Sequence, residues 1–287
     1  MFYQEYPPPP ELRAYIRCFW ALEHDYRQAF HTHEHLWADT HTELIFSFGE
    51  RYYRRSEGDT GRKIRLPENF VIGPMTKELL LYSNGFTGFV AVRFHPSGFV
   101  AFSKQNAKAF VNAMLPARKA LPSGIRQLEQ QLPGNPSREQ KLRLLSAFFL
   151  HYKPLPNPDR SRIEAIVTEL QTRHGKQNIA QLAQQFDISA RKLERHFDQH
   201  IGMSPKLFAR IIRFNHAKSL IEMDPDIPLA ALAYETGYAD QAHFSRNFRQ
   251  LFRYTPAQFK TRVKSFNADT KDLDKDVVFV QDQPAGK

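Results

Sequence analysis

The stretch HTHEHLWADTHTELIF, His31 to Phe46, gathers four histidines, a tryptophan and several carboxylates, a composition suited to holding a metal. On a strand, His31, His33 and His35 would share one face, about 6.6 Å between neighbours and about 13 Å from first to third. A metal bound at about 2.0 to 2.1 Å per imidazole nitrogen bridges neighbours but scarcely both ends. A site would therefore need two of these histidines together with Glu43 or His41. The competing reading is a polar strand edge or loop whose histidines are solvated or hydrogen-bonded, and on that balance no metal and no cofactor is assigned. Glu43 alternates with Ile45 and Ser47 against Leu44, Phe46 and Phe48, on the less apolar face, where it either lines a polar cavity or is exposed.

A second charged feature, RYYRRSEGDTGRKIR from 51 to 65, carries six cations around a turn. It reads as a solvated hairpin, with an anionic ligand or phosphate contacts as the minority alternative. No glycine-rich phosphate loop, paired catalytic carboxylate motif or serine-centred elbow accompanies it, so the chain is not expected to be an enzyme. Forty Lys and Arg against thirty Asp and Glu give a formal net charge of +10, which favours a polyanionic partner. Charge alone does not establish such a partner, and its distribution over structural elements has to decide. The single cysteine, Cys18, forms no internal disulfide or thiolate cluster, as in a reducing compartment. No segment approaches the roughly eighteen apolar residues of a bilayer span, and MFYQEYPPPP lacks the order of a signal peptide, so a cytoplasmic location and no membrane partner are expected.

The elements that position these groups divide into two sets. From His31 to about Phe94, ELIFSF, NFVIGP, ELLLYS and TGFVAVRF are short apolar runs separated by turn-like SEGDTG, GPMT and SNG, a pattern that predicts an antiparallel sheet or barrel. From Gly98 the pattern turns helical, and PSREQKLRLLSAFFL opens with a capping box of Ser137 and Gln140 on a helix ending near Tyr152. KPLPNPD, with prolines at 154, 156 and 158, reads as a stiff linker. Helical periodicity then continues to about Phe266, ahead of a polar tail whose VVFV run at 277 to 280 is either an added strand or disordered. The expected fold class is α+β in two domains. Residues 1–152 form a mainly antiparallel, barrel-like β domain with helices, 153–158 a linker, 159–266 an all-α domain and 267–287 a polar tail.

Within the helical half, IAQLAQQFDISARKLERHFDQHIGMSPKLF and PLAALAYETGYADQAHFSRNFRQLFRYTPAQF are two copies of one unit. Leu182-Ala183 answers Leu232-Ala233. After a one-residue longer turn in the second copy, Leu193, Arg195, Phe197, Pro205 and Phe208 answer Phe244, Arg246, Phe248, Pro256 and Phe259. Each copy reads as a short helix, a tight turn and a second helix, the helix-turn-helix arrangement that seats one helix in the DNA major groove. Ser189 is the expected N-cap of the second helix of the first copy. There Leu193 and Phe197 face the core, and at about 100° per residue Arg191, Lys192 and Arg195 lie opposite. In the second copy Phe244 and Phe248 fix the buried face, leaving Ala242, His243, Arg246 and Gln250 outward and Gln241 in the exposed first turn. Arginine can pair bidentately with guanine, glutamine with adenine, Glu194 can accept from cytosine, and Ala242 can touch a thymine methyl. Either face alone reads equally well as a solvated surface or a DNA-reading one. Their repetition favours DNA.

Through LAQQFDISARKLERHFDQHIGMSP and ALAYETGYADQAHFSRNFRQLFRYTPAQF, the segment from about Ile163 to Lys260 resembles the DNA-binding domain of the AraC/XylS family of bacterial transcription regulators. The resemblance implies two helix-turn-helix units joined by a long helix, PKLFARIIRFNHAKSLIEM, entering successive major-groove segments on one DNA face. By motif position it assigns base contacts to Arg191, Glu194 and Arg195 and to Gln241, Ala242, Ser245 and Arg246. Arg253 departs from the pattern, standing where the family usually has glycine, so the helix end there is expected to differ in shape or to contact phosphate. More weakly, through DTHTELIFSFGE, VIGP and VAVRFHPSG, the first half resembles the sensor domains attached to some members. That implies effector sensing or self-association, with an unidentified small molecule or a second copy of the chain as partner, while the resemblance to the family as a whole implies promoter DNA and RNA polymerase. The rival readings are a His/Glu metal-dependent barrel enzyme fused to a DNA-targeting module, and a nonspecific architectural DNA binder.

Overall fold

The computed structural model describes residues 2–28, 33–55, 63–133, 137–152, 154–155 and 158–269. His31, the tip of the 51–65 hairpin and the VVFV run lie outside these residues, and His33 is described only by its backbone. Among the described residues the first half contains ten strands: β1 (Phe2–Tyr6), β2 (Ile16–Asp25), β3 (His33–Leu36), β4 (Glu43–Gly49), β5 (Tyr53–Arg55), β6 (Lys63–Arg65), β7 (Asn69–Ile72), β8 (Leu79–Tyr82), β9 (Phe86–Phe94) and β10 (Met114–Pro116). They form a six-stranded sheet ordered β1-β2-β9-β4-β7-β10 and a four-stranded sheet ordered β3-β8-β5-β6. Every strand pair within them is antiparallel.

The larger sheet is buried on both faces. Phe19, Ala21, Leu44, Phe46, Val90 and Val92 point to one side, and are covered by α1 (Ala117–Ala120), α2 (Ile125–Gln131) and α3 (Arg138–His151) through Ala117, Ile125, Leu145 and Phe149. Cys18, Trp20, Leu22, Ile45, Phe89 and Ala91 point to the other, against Tyr52, Leu66 and Leu81 of the smaller sheet and its connections. A strand buried on both sides has no polar alternation. This is why β2, the longest strand, carries no period-two signal and was not anticipated ahead of His31. Strand β10 also interrupts the stretch after Gly98 that was expected to be helical, closing the sheet edge against β7. The predicted capping box is present on α3: the Ser137 hydroxyl accepts from the Gln140 amide at 3.1 Å, and the Gln140 side chain accepts from the Ser137 amide at 3.4 Å.

Between the sheets sits a buried charge cluster. Glu43 is opposite Arg93 in register, and its carboxylate accepts from the Arg93 guanidinium at 2.6 Å, while Glu5 accepts from the same group at 3.0 Å. Glu43, whose alternation left a polar cavity or an exposed face open, is buried. The neighbouring Tyr3 hydroxyl donates to Glu5 at 2.5 Å, and burial pushes that phenol well above its ordinary value.

The second half consists of α4 (Arg160–Thr172), α5 (Ile179–Gln185), α6 (Ala190–His200), α7 (Pro205–Met223), α8 (Leu229–Glu235), α9 (Gln241–Phe252) and α10 (Pro256–Asp269). Their apolar faces share one core running from Ile163 to Val263, and Trp37 and Ala38 of the first half belong to that same core. Among the described residues no helix is long and apolar enough to cross a membrane.

Because the Arg93 side chain is 1% exposed, removing it strands the Glu43 carboxylate without its cation. Arg93→Ala is expected to destabilise the protein by about 3 to 5 kcal/mol in denaturant unfolding. Replacing Arg93 and Glu43 together by apolar residues of similar volume should recover most of that loss.

Candidate nucleic-acid interface

The two repeated units have matching local geometry. In the first, the turn between α5 and α6 passes through Asp187 in the left-handed region (φ 47°), and in the second the turn between α8 and α9 passes through Gly237 (φ 75°) at the equivalent position. The next residue closes the same hydrogen bond in both, Ile188 to the Ala183 carbonyl at 3.0 Å and Tyr238 to the Ala233 carbonyl at 2.9 Å. The extra residue of the second copy lies between this bond and the following helix. Ser189 caps α6 by accepting from the Lys192 amide at 3.2 Å, as expected. Asp240 caps α9 by accepting from the His243 amide at 2.7 Å, a role that its place just before the apolar periodicity begins would have signalled.

With those starts fixed, each helix turns one face inward. Leu193 and Phe197 of α6, and Phe244 and Phe248 of α9, are buried. Arg191, Glu194 and Arg195 are exposed on α6, and Gln241, Ala242, His243, Arg246 and Gln250 on α9. Two candidates are less open. Lys192 is half-buried, its ammonium 3.5 Å from Asp159 just before α4, and Ser245 is half-buried on α9. His196, one turn beyond Lys192, also faces Asp159 at 3.6 Å, and burial holds its imidazole below the ordinary range. Arg249 is exposed one turn after Arg246 and was not singled out from the sequence, although i+3 spacing connects the two.

The units are joined through α7. Phe208 packs on Phe197 with ring centroids 5.6 Å apart, and Phe214 packs on Phe248 at 5.7 Å and Phe252 at 6.2 Å. The Ser204 hydroxyl caps α7, accepting from the Leu207 amide at 3.2 Å, and Thr255 with Gln258 makes the matching cap on α10.

The ends of α6 and α9 are also equivalent. Gly202 follows α6 with φ 85°, and Arg253 follows α9 with φ 59°, so Arg253 keeps the left-handed turn in place of a differently shaped end. A side chain in that region carries a steric cost that glycine avoids.

The described histidine side chains of this segment, His35 and His41, are engaged in stacking and hydrogen bonds. His35 stacks on Trp37 with centroids 4.9 Å apart. Its Nδ1 is bonded to Glu78, and its Nε2 accepts from the Arg262 guanidinium at 2.6 Å. His41 is bonded through Nδ1 to Asp39 at 3.0 Å. Among the described residues no three His, Cys, Asp or Glu side chains gather in a metal-binding group.

Residues 182–262 match a family described as a helix-turn-helix domain. The helical half is an AraC/XylS-type DNA-binding domain. Residues 4–116 match a family described as a domain of unknown function, DUF6597. An HTH-type transcriptional regulator of Haemophilus influenzae is 33% identical over 105 residues, 37% of this chain and 35% of that protein. The HTH-type transcriptional activator RhaS of Pectobacterium atrosepticum is 29% identical over 108 residues, 37% of this chain and 38% of its own length. The chain thus matches little more than a third of the length of these relatives. The solved structure of ToxT from Vibrio cholerae aligns over 84% of this chain and 98% of its own at a TM-score of 0.47 and 12% identity.

Two outcomes follow from this AraC/XylS-type geometry. Arg253→Gly is expected to raise unfolding stability by about 1 kcal/mol, read from denaturant midpoints at constant slope. His216 of α7 stacks on His174 at 3.8 Å, and burial, with the neighbouring imidazole second, lowers its pKa from 6.5 to about 4. The folded state therefore favours the neutral ring. Its contribution to stability is complete above pH 6.5 and is lost as pH falls toward 4, so His216→Gln should flatten the acid limb of a stability-against-pH curve.

Proposed function

We propose that this chain is a sequence-specific, double-stranded-DNA-binding transcription regulator of the AraC/XylS type, whose α6 and α9 read successive major-groove segments. The observation that carries this reading is the repeated presentation: two helices, each capped at its start and turned by a left-handed residue before it, direct apolar residues into a shared core and polar residues outward.

On this reading Arg191, Arg195 and Arg246 pair with guanine O6 and N7, Gln241 with adenine, Glu194 with cytosine N4, and Ala242 with a thymine methyl, while Ser245 reaches a base edge or phosphate. Lys192 and His243, with Arg249, suit phosphates that set register without reading sequence. Lys192 would exchange its Asp159 contact for such a phosphate. The amino-terminal domain is the effector-sensing half, and a small molecule, a second copy of the chain and RNA polymerase are its proposed partners in a cytoplasmic regulator. The engagement of His35 by Glu78 and Arg262 favours this reading over the metal-dependent enzyme.

Selection of the full-length protein from random duplexes should return a preferred sequence. Arg195→Ala should then cost about 1 to 3 kcal/mol on that sequence while leaving nonspecific affinity nearly unchanged. An equal loss on every duplex reduces Arg195 to a phosphate ligand. Recovery of no preferred sequence favours an architectural DNA binder.

A further inference from the structure

Trp37 belongs by sequence to the amino-terminal half, just after β3, yet its surroundings are those of the second helix-turn-helix unit. It is 2% exposed. Phe252 in the last turn of α9 and Phe259 on α10 meet the indole edge-on with centroids 5.3 Å away in each case, and Tyr254 between those helices lies at 6.4 Å. An indole thus fills the space under the end of the α9 reading helix, and the core of that unit is completed by a side chain from the other domain.

The segment that carries Trp37 is held from both sides. Asp39 exchanges two backbone hydrogen bonds of 2.9 Å with Met75, tying it to the amino-terminal domain. His35 stacks on the indole, is anchored to Glu78, and accepts from Arg262 of α10, whose guanidinium also donates to the Tyr254 hydroxyl at 2.8 Å. The first unit is docked elsewhere. A short 3-10 turn, Ala107–Phe110, lies against α6, with Lys108 and Asp198 3.3 Å apart, and a side chain at Gly202 would meet Val111 at 2.6 Å and the Ala107 carbonyl at 2.8 Å. Each of these helices therefore has its own contact with the first domain, and the aromatic rings described around Trp37 in the second half, Phe252, Tyr254 and Phe259, belong to the second unit.

We infer that Trp37 is a positioning residue for DNA reading by α9: the amino-terminal domain supplies the indole that fixes this helix, so the second unit reads bases correctly only while the two domains are docked. The inference rests on the proposed role of α9 in base reading. It deepens that role by making the second unit, and not the first, dependent on the Trp37 segment. A change that withdraws β3 and Trp37 would loosen one half of the DNA site and spare the other.

The test uses the full-length protein. The sequence contains two tryptophans, so Trp20→Phe leaves Trp37 as the sole indole. Its emission should be blue-shifted and shielded from acrylamide, and an exposed, freely quenched indole overturns the inference. Site selection is then repeated with Trp37→Ala, Trp37→Phe and Arg246→Ala. Trp37→Ala should reduce base discrimination about tenfold or more in the block that Arg246→Ala relaxes, leave the Arg195-dependent block intact, and be largely rescued by Trp37→Phe. If Arg246→Ala relaxes a block that Trp37→Ala leaves untouched, or if Trp37→Ala weakens both blocks equally, the positioning role is wrong. If Arg246→Ala relaxes no block, the base-reading role of α9 has failed and the inference falls with it.

Discussion

The burial of one face of α7 against both helix-turn-helix units is the interaction on which the rest of the structure depends. Its 19 residues, at about 1.5 Å each, span about 28 Å, comparable to the roughly 34 Å of one turn of B-DNA. Phe208 is committed to the first unit, Phe214 to the second, and Ile211 between them is fully buried. A helix packed along its length at both ends cannot rotate one unit against the other without opening that core, and core opening exposes large aromatic area at a cost of several kcal/mol. The repeated units are thus held as one rigid body, and the placement of their outward cationic and amide side chains is set by packing.

The amino-terminal domain adds a second level of constraint. It touches each unit at a different place, with the turn at Ala107–Phe110 against α6 and the Trp37 segment under α9 and α10. A third contact sits near the linker, where the Arg160 guanidinium of α4 lies 3.6 Å from the centre of the Tyr15 ring and is bonded to the Ala14 carbonyl. Of these contacts, the Arg160 and Lys108 ones are polar, whereas the Trp37 segment enters the same apolar core that packs along α7. The buried Arg93, Glu43 and Glu5 cluster lies within the first domain, so a charged effector meeting it would have to rearrange an ion pair already satisfied.

Much of the helical half was legible in the sequence because its determinants are local. Apolar spacing, the Ser189 cap and the residue-by-residue repeat each specify helix starts and faces without reference to distant residues. The larger sheet was legible only in part. Strands β4, β7, β8 and β9 are bracketed by turn residues, but β2 is buried on both faces and reads as an undivided apolar run. The histidine segment illustrates a deeper limit. Imidazole and carboxylate groups that can bind a metal are the same groups that form hydrogen-bonded domain edges, and nothing near Trp37 in sequence shows that its indole enters a core built more than two hundred residues later. Arg253 has the same character, since the left-handed turn is imposed by the packing of α9 and α10 around it and is not preferred by arginine itself.

The most direct test of the rigid-reader account is the distance between the two units in solution. Gln185 and Glu235 occupy equivalent exposed positions at the ends of α5 and α8, outside α6 and α9. Spin labels placed by Gln185→Cys and Glu235→Cys, with Cys18→Ser removing the native thiol, can be measured by pulsed electron resonance without DNA and with the selected duplex. The account predicts one narrow distance distribution, about one helical turn of DNA or roughly 34 Å, that is the same in both states. A broad distribution in the free protein that narrows or shifts by many ångströms only when DNA is added would show that DNA, and not α7, sets the spacing.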